Sequence, residues 1–281
     1  MKNKTFFWIV AIAVFLILAG VIGVYSNSGF INGTFTIEPS ISGNFGTFLN
    51  SLLSVFLSTL TVVLIWLTYK SQKSELEETK KVLGKQQFEN IFYNLLEAQR
   101  SIRKELNIDD YNLATKHSYY SKNKGLTVFD AIRDDFKKYY MLSINKDPTS
   151  PNRYIKDDFK YRLENDITIR NDDYSYQNTK KIYKCYFNNI GDKFGHYFRH
   201  SYHILNYICE NIEEEGEQIK YSDIYQAELS SSELFMHFYN GILFEKMYLK
   251  MDNLQFLENL QKKNLIKPNS HSKFYPKTTF K

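Results

Sequence analysis

One segment, residues 191–212, gathers the side chains of this chain that are best suited to acid–base chemistry or to phosphate binding. At about 100° per residue, an α-helix places His196, Arg199, His200 and His203 on one face. Histidine titrates near neutral pH, and the planar guanidinium of arginine binds phosphate oxygens through paired N–H donors. The face therefore indicates general acid–base catalysis or recognition of an anion. The alternative is an ordinary solvent-exposed helix face.

The opposite face of this helix is apolar, which predicts that it packs against a core. Its members are Phe194, Phe198, Tyr202, Leu205, Ile208, Cys209 and Ile212, with Tyr197 and Ile204 at the edges. The two cysteines, Cys185 and Cys209, lie in apolar helical patterns without metal-ligand spacing, which predicts free thiols. The sequence predicts no metal site and no cofactor.

Two uncharged apolar segments near the start of the chain predict a transmembrane hairpin. Residues 6–25 and 48–67 are each long enough for a helix to cross a hydrocarbon core of about 30 Å. Lysines flank the pair on one side only, while the connection between the spans has neither Lys nor Arg; these lysines are Lys2, Lys4, Lys70 and Lys73. The asymmetry predicts a multi-pass membrane protein with both termini in the cytoplasm.

A cleaved signal peptide is the alternative for the first segment. It would leave the second segment as an anchor, with residues 70–281 still in the cytosol. Neither span contains a charged residue, whereas transporters and proton pumps are expected to carry ionisable groups inside the membrane. The spans therefore favour simple anchoring to the lipid bilayer.

The remaining chain predicts an all-α cytosolic domain. A polar helical stalk over residues 70–87 leads into a domain over residues 88–266. Short helices are predicted at 128–142 and 156–163, and Ser230 with Glu233 forms a capping-box pattern. The capping box opens a helix that extends to about residue 247, and Asp252 is predicted to cap a last helix. The basic, proline-containing residues 267–281 predict a disordered tail.

Charge and motifs exclude several common functions. The net charge of +5 is spread along the chain, so nucleic-acid binding is not the default expectation. The sequence has no nucleotide-binding motif, no zinc protease motif and no serine hydrolase motif. These absences leave the ATPase, metalloprotease and serine hydrolase classes without a basis in the sequence.

Three sequence blocks resemble those of phage abortive infection proteins labelled AbiC-like. The blocks are QQFENIFYNLL at 86–96, GHYFRH at 195–200 and QAELSSSELFMHFYNGI at 226–242, in the same order. The resemblance covers residues 86–265, and two N-terminal membrane spans are a common layout in that family. It implies defence of a bacterium against phage, in which the infected cell stops growing or dies before progeny are released. The resemblance implies no mechanism.

Two classes of function remain open for the cytosolic domain. It is either a non-catalytic sensor or effector held at the bacterial inner membrane, or a metal-independent ribonuclease of the HEPN type. HEPN ribonucleases place four to six residues between an arginine and a histidine, whereas Arg199 and His203 have three between them. The candidate partners are accordingly the lipid bilayer, a phage component, RNA and a second copy of the chain.

Overall fold

The computed structural model describes residues 39–108, 123–124, 126–144 and 167–281, together with residues 19, 22 and 165. The chain divides into two compact units, Met1–Lys81 and Val82–Lys281. Apart from one two-residue antiparallel pairing of β1 (Asn107–Ile108) with β2 (Asn123–Lys124), the regular elements of the described residues are helical. The predicted all-α class is confirmed for this part of the chain.

Helix α1 (Pro39–Glu105) contains the second predicted span and the whole predicted stalk. Residues 48–67 are helical, and large apolar side chains along them are exposed, including Val55, Leu57, Val62, Ile65 and Trp66. Among the described helices, this one alone is long and apolar enough to cross a membrane. The first predicted span, residues 6–25, lies outside the described residues except for positions 19 and 22. The hairpin therefore stays a prediction.

The second unit is built around a helix that is buried on all sides. Its helices after α1 are α2 (Leu126–Ile144), α3 (Tyr176–Asn211), α4 (Glu215–Ala227), α5 (Ser231–Leu243) and α6 (Glu245–Asn253). Helix α5 packs against α2, α3 and α6, and its side chains from Ser232 to Ile242 are buried. An apolar sequence on every face of a helix is typical of such a central position. The predicted capping box at its start is confirmed, since Ser230 and Glu233 cap each other's backbone N–H groups.

Helix α3 carries the predicted apolar face into the core. Ser175 caps its start by accepting a hydrogen bond from the backbone N–H of Asn178. The predicted apolar residues of α3 are buried, except for Tyr202 and Cys209, which are half-buried. Ser201 is also buried in this interface. The predicted division of the helix into a packed face and an accessible face is therefore confirmed.

The predicted disordered tail at residues 267–281 is wrong. This segment contains α7 (Pro268–His271) followed by a 3₁₀ turn, and its His271 and Tyr275 side chains are buried. The Tyr275 hydroxyl donates to the Phe238 carbonyl at 2.8 Å. Gly241 permits this approach, because a Cβ atom there would overlap the Tyr275 hydroxyl. Buried aromatic side chains thus keep the tail ordered, although its basic, proline-containing composition predicts disorder.

The last predicted helix is also wrong. Asp252 lies at the end of α6 rather than before a new helix, and its carboxylate accepts a hydrogen bond from the backbone N–H of Lys277 at 3.0 Å. Residues 254–259 form turns. The helix predicted over 128–142 is confirmed as part of α2, whereas the one predicted over 156–163 lies outside the described residues.

Candidate functional site

The four predicted site residues lie outside the core, and they are directed to different surroundings. His200 is half-buried, and its Nε2 lies 2.9 Å from the carbonyl oxygen of Leu95 in α1, to which it donates a hydrogen bond. His196 and His203 are exposed. Across the described ranges, no hydrogen bond joins any two of the four residues. The helix thus brings them onto one surface without pairing a base with an acid.

Arg199, the fourth predicted residue, lines a groove between α3 and the junction of α5 with α6. We refer to this feature, which has a volume of about 390 Å³, as the α3 groove. Its lining consists of Phe187, Gly191, Gly195, Phe198, Arg199, Tyr202, Asn240, Phe244, Lys246 and Met247. The aromatic rings of Phe187 and Phe244 meet edge to face, with their centroids 5.5 Å apart. The groove is therefore mostly apolar and is formed by parts of the chain that are distant in sequence.

Two glycines, Gly191 and Gly195, leave part of the α3 side of the groove without side chains. A Cβ atom at Gly191 would lie 3.1 Å from the ring of Phe187, so this glycine allows the ring to pack closely. A Cβ atom at Gly195 would meet nothing within 4 Å. Glycine inside a helix is less favourable than alanine by about 0.5–1 kcal/mol. The packing of the helices therefore does not require a glycine at position 195. The effect of Gly195 is to leave the groove open.

Two cationic side chains, Arg199 and Lys246, line the groove. In the described part of the chain neither forms an ion pair, whereas Arg100, Arg103 and Arg133 each contact a carboxylate. The guanidinium of Arg199 donates through Nε to its own helix, to the carbonyl of Gly195 at 3.2 Å. Its remaining N–H donors are therefore available to an anionic group that lies over the apolar lining.

A wider depression of about 910 Å³ adjoins the groove and shares Tyr202 and Lys246 with it. Two further lysines, Lys250 and Lys277, contribute to its lining, and the ammonium group of Lys250 lies 5.9 Å from the centre of the Tyr202 ring. Cys209 is also at this surface, and burial raises the pKa of its thiol, which disfavours the reactive thiolate. The basic character of the groove thus continues into the neighbouring depression.

A buried polar cluster between α1, α3 and α5 is a feature that the sequence analysis missed. The carboxylate of Glu233 is fully buried and accepts from the Tyr197 hydroxyl at 2.6 Å. It also contacts Nη1 of Arg103 at 3.3 Å. Burial, together with the adjacent carboxylate of Glu233, raises the pKa of Tyr197 well above its ordinary value, so the phenol stays protonated and donates. These groups satisfy one another and fix the end of α1 to the start of α5.

Next to this cluster, His237 of α5 is buried against Ser201 and three aromatic rings. Its Nε2 lies 3.5 Å from Oγ of Ser201, which in turn accepts a hydrogen bond from Gln99 at 2.8 Å. The ring of Phe198 meets the imidazole edge to face. Burial lowers the pKa of His237 to about 3, so the ring is neutral at physiological pH. Such a position suits packing rather than proton transfer with solvent.

We expect these buried histidines to make the fold sensitive to mild acid. Burial lowers the pKa of His271 to about 3 as well, whereas an unfolded chain titrates near 6.5. Between these values the unfolded state binds protons that the folded state excludes, so the free energy of unfolding falls as pH falls. The slope is about 1.4 kcal/mol per pH unit for each histidine.

Denaturant unfolding of the detergent-solubilised chain at about pH 7.5 and about pH 5.5 measures this dependence. The loss should be about 1.4 kcal/mol for each histidine over the whole interval, because the full slope applies only below about pH 6.5. The variant His237→Leu should lose roughly half of the histidine-dependent slope, because one of the two buried imidazoles is gone. An unchanged slope in this variant would contradict the assignment. Carboxylates contribute little in this interval, since their ordinary pKa values lie below it.

The comparisons with known proteins identify one part of the chain. Residues 189–265 match the family model described as "Putative phage abortive infection protein". We refer to these matched residues as the abortive infection segment. The predicted family resemblance is therefore confirmed over these residues and supports a general role in anti-phage defence. No curated protein and no solved structure gave a match.

The abortive infection segment contains almost all of the α3 groove. Of the ten residues that line the groove, nine fall within residues 189–265, and Phe187 lies just before them. In contrast, Gln99 and Arg103 of the buried polar cluster lie outside the segment. Among the described residues, no group of three His, Cys, Asp or Glu side chains is arranged to hold a metal ion. The adjoining depression also lies mostly within the matched segment, since ten of its eleven lining residues fall within 189–265. The groove differs from the depression in its mostly apolar lining.

Proposed function

We propose that this chain is a membrane-anchored anti-phage defence protein whose helical unit, Val82–Lys281, acts as a sensor or effector through the α3 groove. The observation that carries this proposal is a mostly apolar groove, edged by two cations, that lies almost entirely inside the abortive infection segment. A mostly apolar cavity with a few polar groups is the usual form of a binding site. The cations at the groove add selectivity for a negatively charged ligand.

The geometry of α3 favours binding over acid–base catalysis. His200 donates to the Leu95 carbonyl, which holds its ring against α1 rather than toward a substrate. The ribonuclease alternative depends on Arg199 and His203, which are both exposed on α3. Of these two, Arg199 lines the groove, where it stands over an apolar surface. We therefore propose a sensor or effector role, and the metal-independent ribonuclease is the alternative. Substitutions in the groove and at His203 distinguish the two.

We further propose that the chain is held in the bacterial inner membrane by two spans, with both termini in the cytoplasm. The support is the exposed apolar surface of α1 over residues 48–67 and the lysines that flank the two predicted spans. Anchoring places the helical unit on the side where phage genomes are replicated and phage proteins are made.

Reporter fusions after Lys281 test this topology. A fluorescent protein that folds only in the cytosol should be active at this position, whereas alkaline phosphatase, which requires export, should be inactive. Both fusion proteins should be found in the membrane fraction by immunoblotting. Alkaline phosphatase activity would overturn the topology, and fluorescence confined to the soluble fraction would overturn the anchoring. Fewer plaques from a panel of phages, relative to an empty vector, are expected if the fused chain provides defence.

A further inference from the structure

We propose that the α3 groove binds a single-chain anionic amphiphile, with its alkyl chain along the apolar lining and its acid group between Arg199 and Lys246. A free fatty acid represents the ligand class. The inference rests on the proposed function only in treating the groove as the working site of the helical unit.

The lining of the groove fits an alkyl chain. Its apolar side chains are Phe187, Phe198, Phe244 and Met247, which come from α3, from the α5–α6 junction and from α6. Phe244 is 45% exposed, which is unusual for a phenylalanine that lies beside a packed core. An alkyl chain in the groove would remove this ring and the neighbouring apolar surface from water, which favours binding.

The size of the groove favours a chain over a helix. Its volume of about 390 Å³ lies at the lower end of the range for small-molecule sites. An α-helix is about 10–12 Å in diameter with a pitch of 5.4 Å, so one turn occupies roughly 400–600 Å³. A partner helix could therefore insert side chains but not its backbone. A flexible alkyl chain can occupy the full volume.

The charges at the groove favour an anionic head group. Arg199 presents guanidinium donors that are free of carboxylates in the described ranges, and Lys246 adds a second cation. A carboxylate or phosphate accepts two parallel N–H bonds from such a guanidinium. A neutral amphiphile of the same length would fill the groove but leave both cations without a partner. Selectivity for the charged form follows.

Gly195 provides an independent indication. It lies inside a long helix, where alanine would be more favourable, and the space above it is open to at least 4 Å. The residue lines the groove, so any larger side chain would occupy part of the volume that the alkyl chain needs. A larger side chain at position 195 should therefore block the ligand without clashing with the rest of the protein.

Binding of cis-parinaric acid, a fluorescent fatty acid, tests the proposal on the full chain in nanodiscs of neutral lipid. Nanodiscs without protein give the background from partitioning into lipid. The expected result is a saturable signal that dodecanoate displaces roughly tenfold more effectively than dodecanol, because only the carboxylate forms charge-assisted hydrogen bonds with the two cations. Equal displacement by the acid and the alcohol would overturn the anionic head group. Displacement by an acidic amphipathic peptide but not by dodecanoate would overturn the proposal in favour of a protein partner.

Three variants locate the binding. Gly195→Leu should abolish the saturable signal, and Arg199→Gln should weaken it roughly tenfold. Lys220→Gln removes one charge from an exposed position that lines neither the groove nor the adjoining depression, and it should bind as the wild type does. Unchanged binding by a folded Gly195→Leu variant would overturn the site. If that variant fails to fold, Arg199→Gln at its exposed position decides the same question.

Failure of this inference and failure of the proposed function give different results. Plaque reduction that persists without fatty-acid binding would leave the defence role standing and remove the ligand. Saturable binding without any plaque reduction would leave the ligand standing and remove the defence role. A signal that appears only with anionic phospholipid vesicles, and not with monomeric dodecanoate, would also overturn the inference, because the membrane surface would then be the ligand.

Discussion

Replacement of Glu233 with alanine should lower the free energy of unfolding by about 3–5 kcal/mol, the usual cost of removing one partner from a buried ion pair. The carboxylate accepts from Tyr197, contacts Arg103 and caps the backbone N–H of Ser230 at 2.8 Å. Without it, the guanidinium of Arg103, whose side chain is only 14% exposed, would be left inside the protein without its anion. Denaturant unfolding of the detergent-solubilised chain measures the loss.

The matched control is Glu217→Ala. Glu217 pairs with Lys85 at 3.1 Å, but the two side chains are 40% and 57% exposed. Water screens such a pair, so its removal should cost far less stability than the removal of the Glu233 carboxylate. If the two alanine variants were equally stable, Glu233 would not be an organising residue of the helical unit. Glu233→Gln should be intermediate, since it keeps an acceptor for Tyr197 while it loses the charge that Arg103 requires.

The periodicity of apolar residues was sufficient to predict the helical class and the core face of α3. Helix capping was equally local, since Ser230 and Glu233 satisfy each other within one turn. These features depend on residues close together in sequence, where the geometry of a helix fixes which side chains meet. The same reasoning correctly placed His196 and His203 on the accessible face.

The groove and the packed tail depend on contacts between distant parts of the chain, which periodicity does not reveal. Phe187, Phe244 and Met247 become neighbours only after α3, α5 and α6 have packed. His271 of the tail is held by the Tyr239 hydroxyl at 2.8 Å, so its environment is supplied by another helix. One signal was present in the sequence: Gly191 and Gly195, one helical turn apart, indicate a short strip of the α3 surface without side chains.

The second large effect concerns protection against phage. Gly195→Leu should raise the plaque count to that of an empty vector, because the leucine side chain occupies part of the α3 groove. Protein abundance and membrane localisation should stay at wild-type values, since a Cβ atom at this position meets nothing within 4 Å and glycine is unfavourable inside a helix. Leu205→Ala gives the contrasting case, because truncation of this fully buried side chain should cost about 2–5 kcal/mol and lower abundance.

Arg199 belongs both to the groove and to the predicted acid–base face, so its variants do not separate sensor from ribonuclease. His203 does, because it is exposed on the predicted face and does not line the groove. His203→Ala should therefore protect as well as the wild type if the groove carries the function. If the chain is instead a ribonuclease that uses His203 as its acid or base, His203→Ala should lose protection. Infected cells that express the wild type should then contain cleaved RNA.

The most direct test is a side-by-side plaque assay of Gly195→Leu and His203→Ala, with protein levels measured by immunoblotting and total RNA examined in the same cells. We predict loss of protection by Gly195→Leu, full protection by His203→Ala, equal abundance of the two proteins and intact RNA during wild-type protection. Full protection by Gly195→Leu together with loss of protection by His203→Ala would contradict the account and transfer the function from the groove to the histidine face.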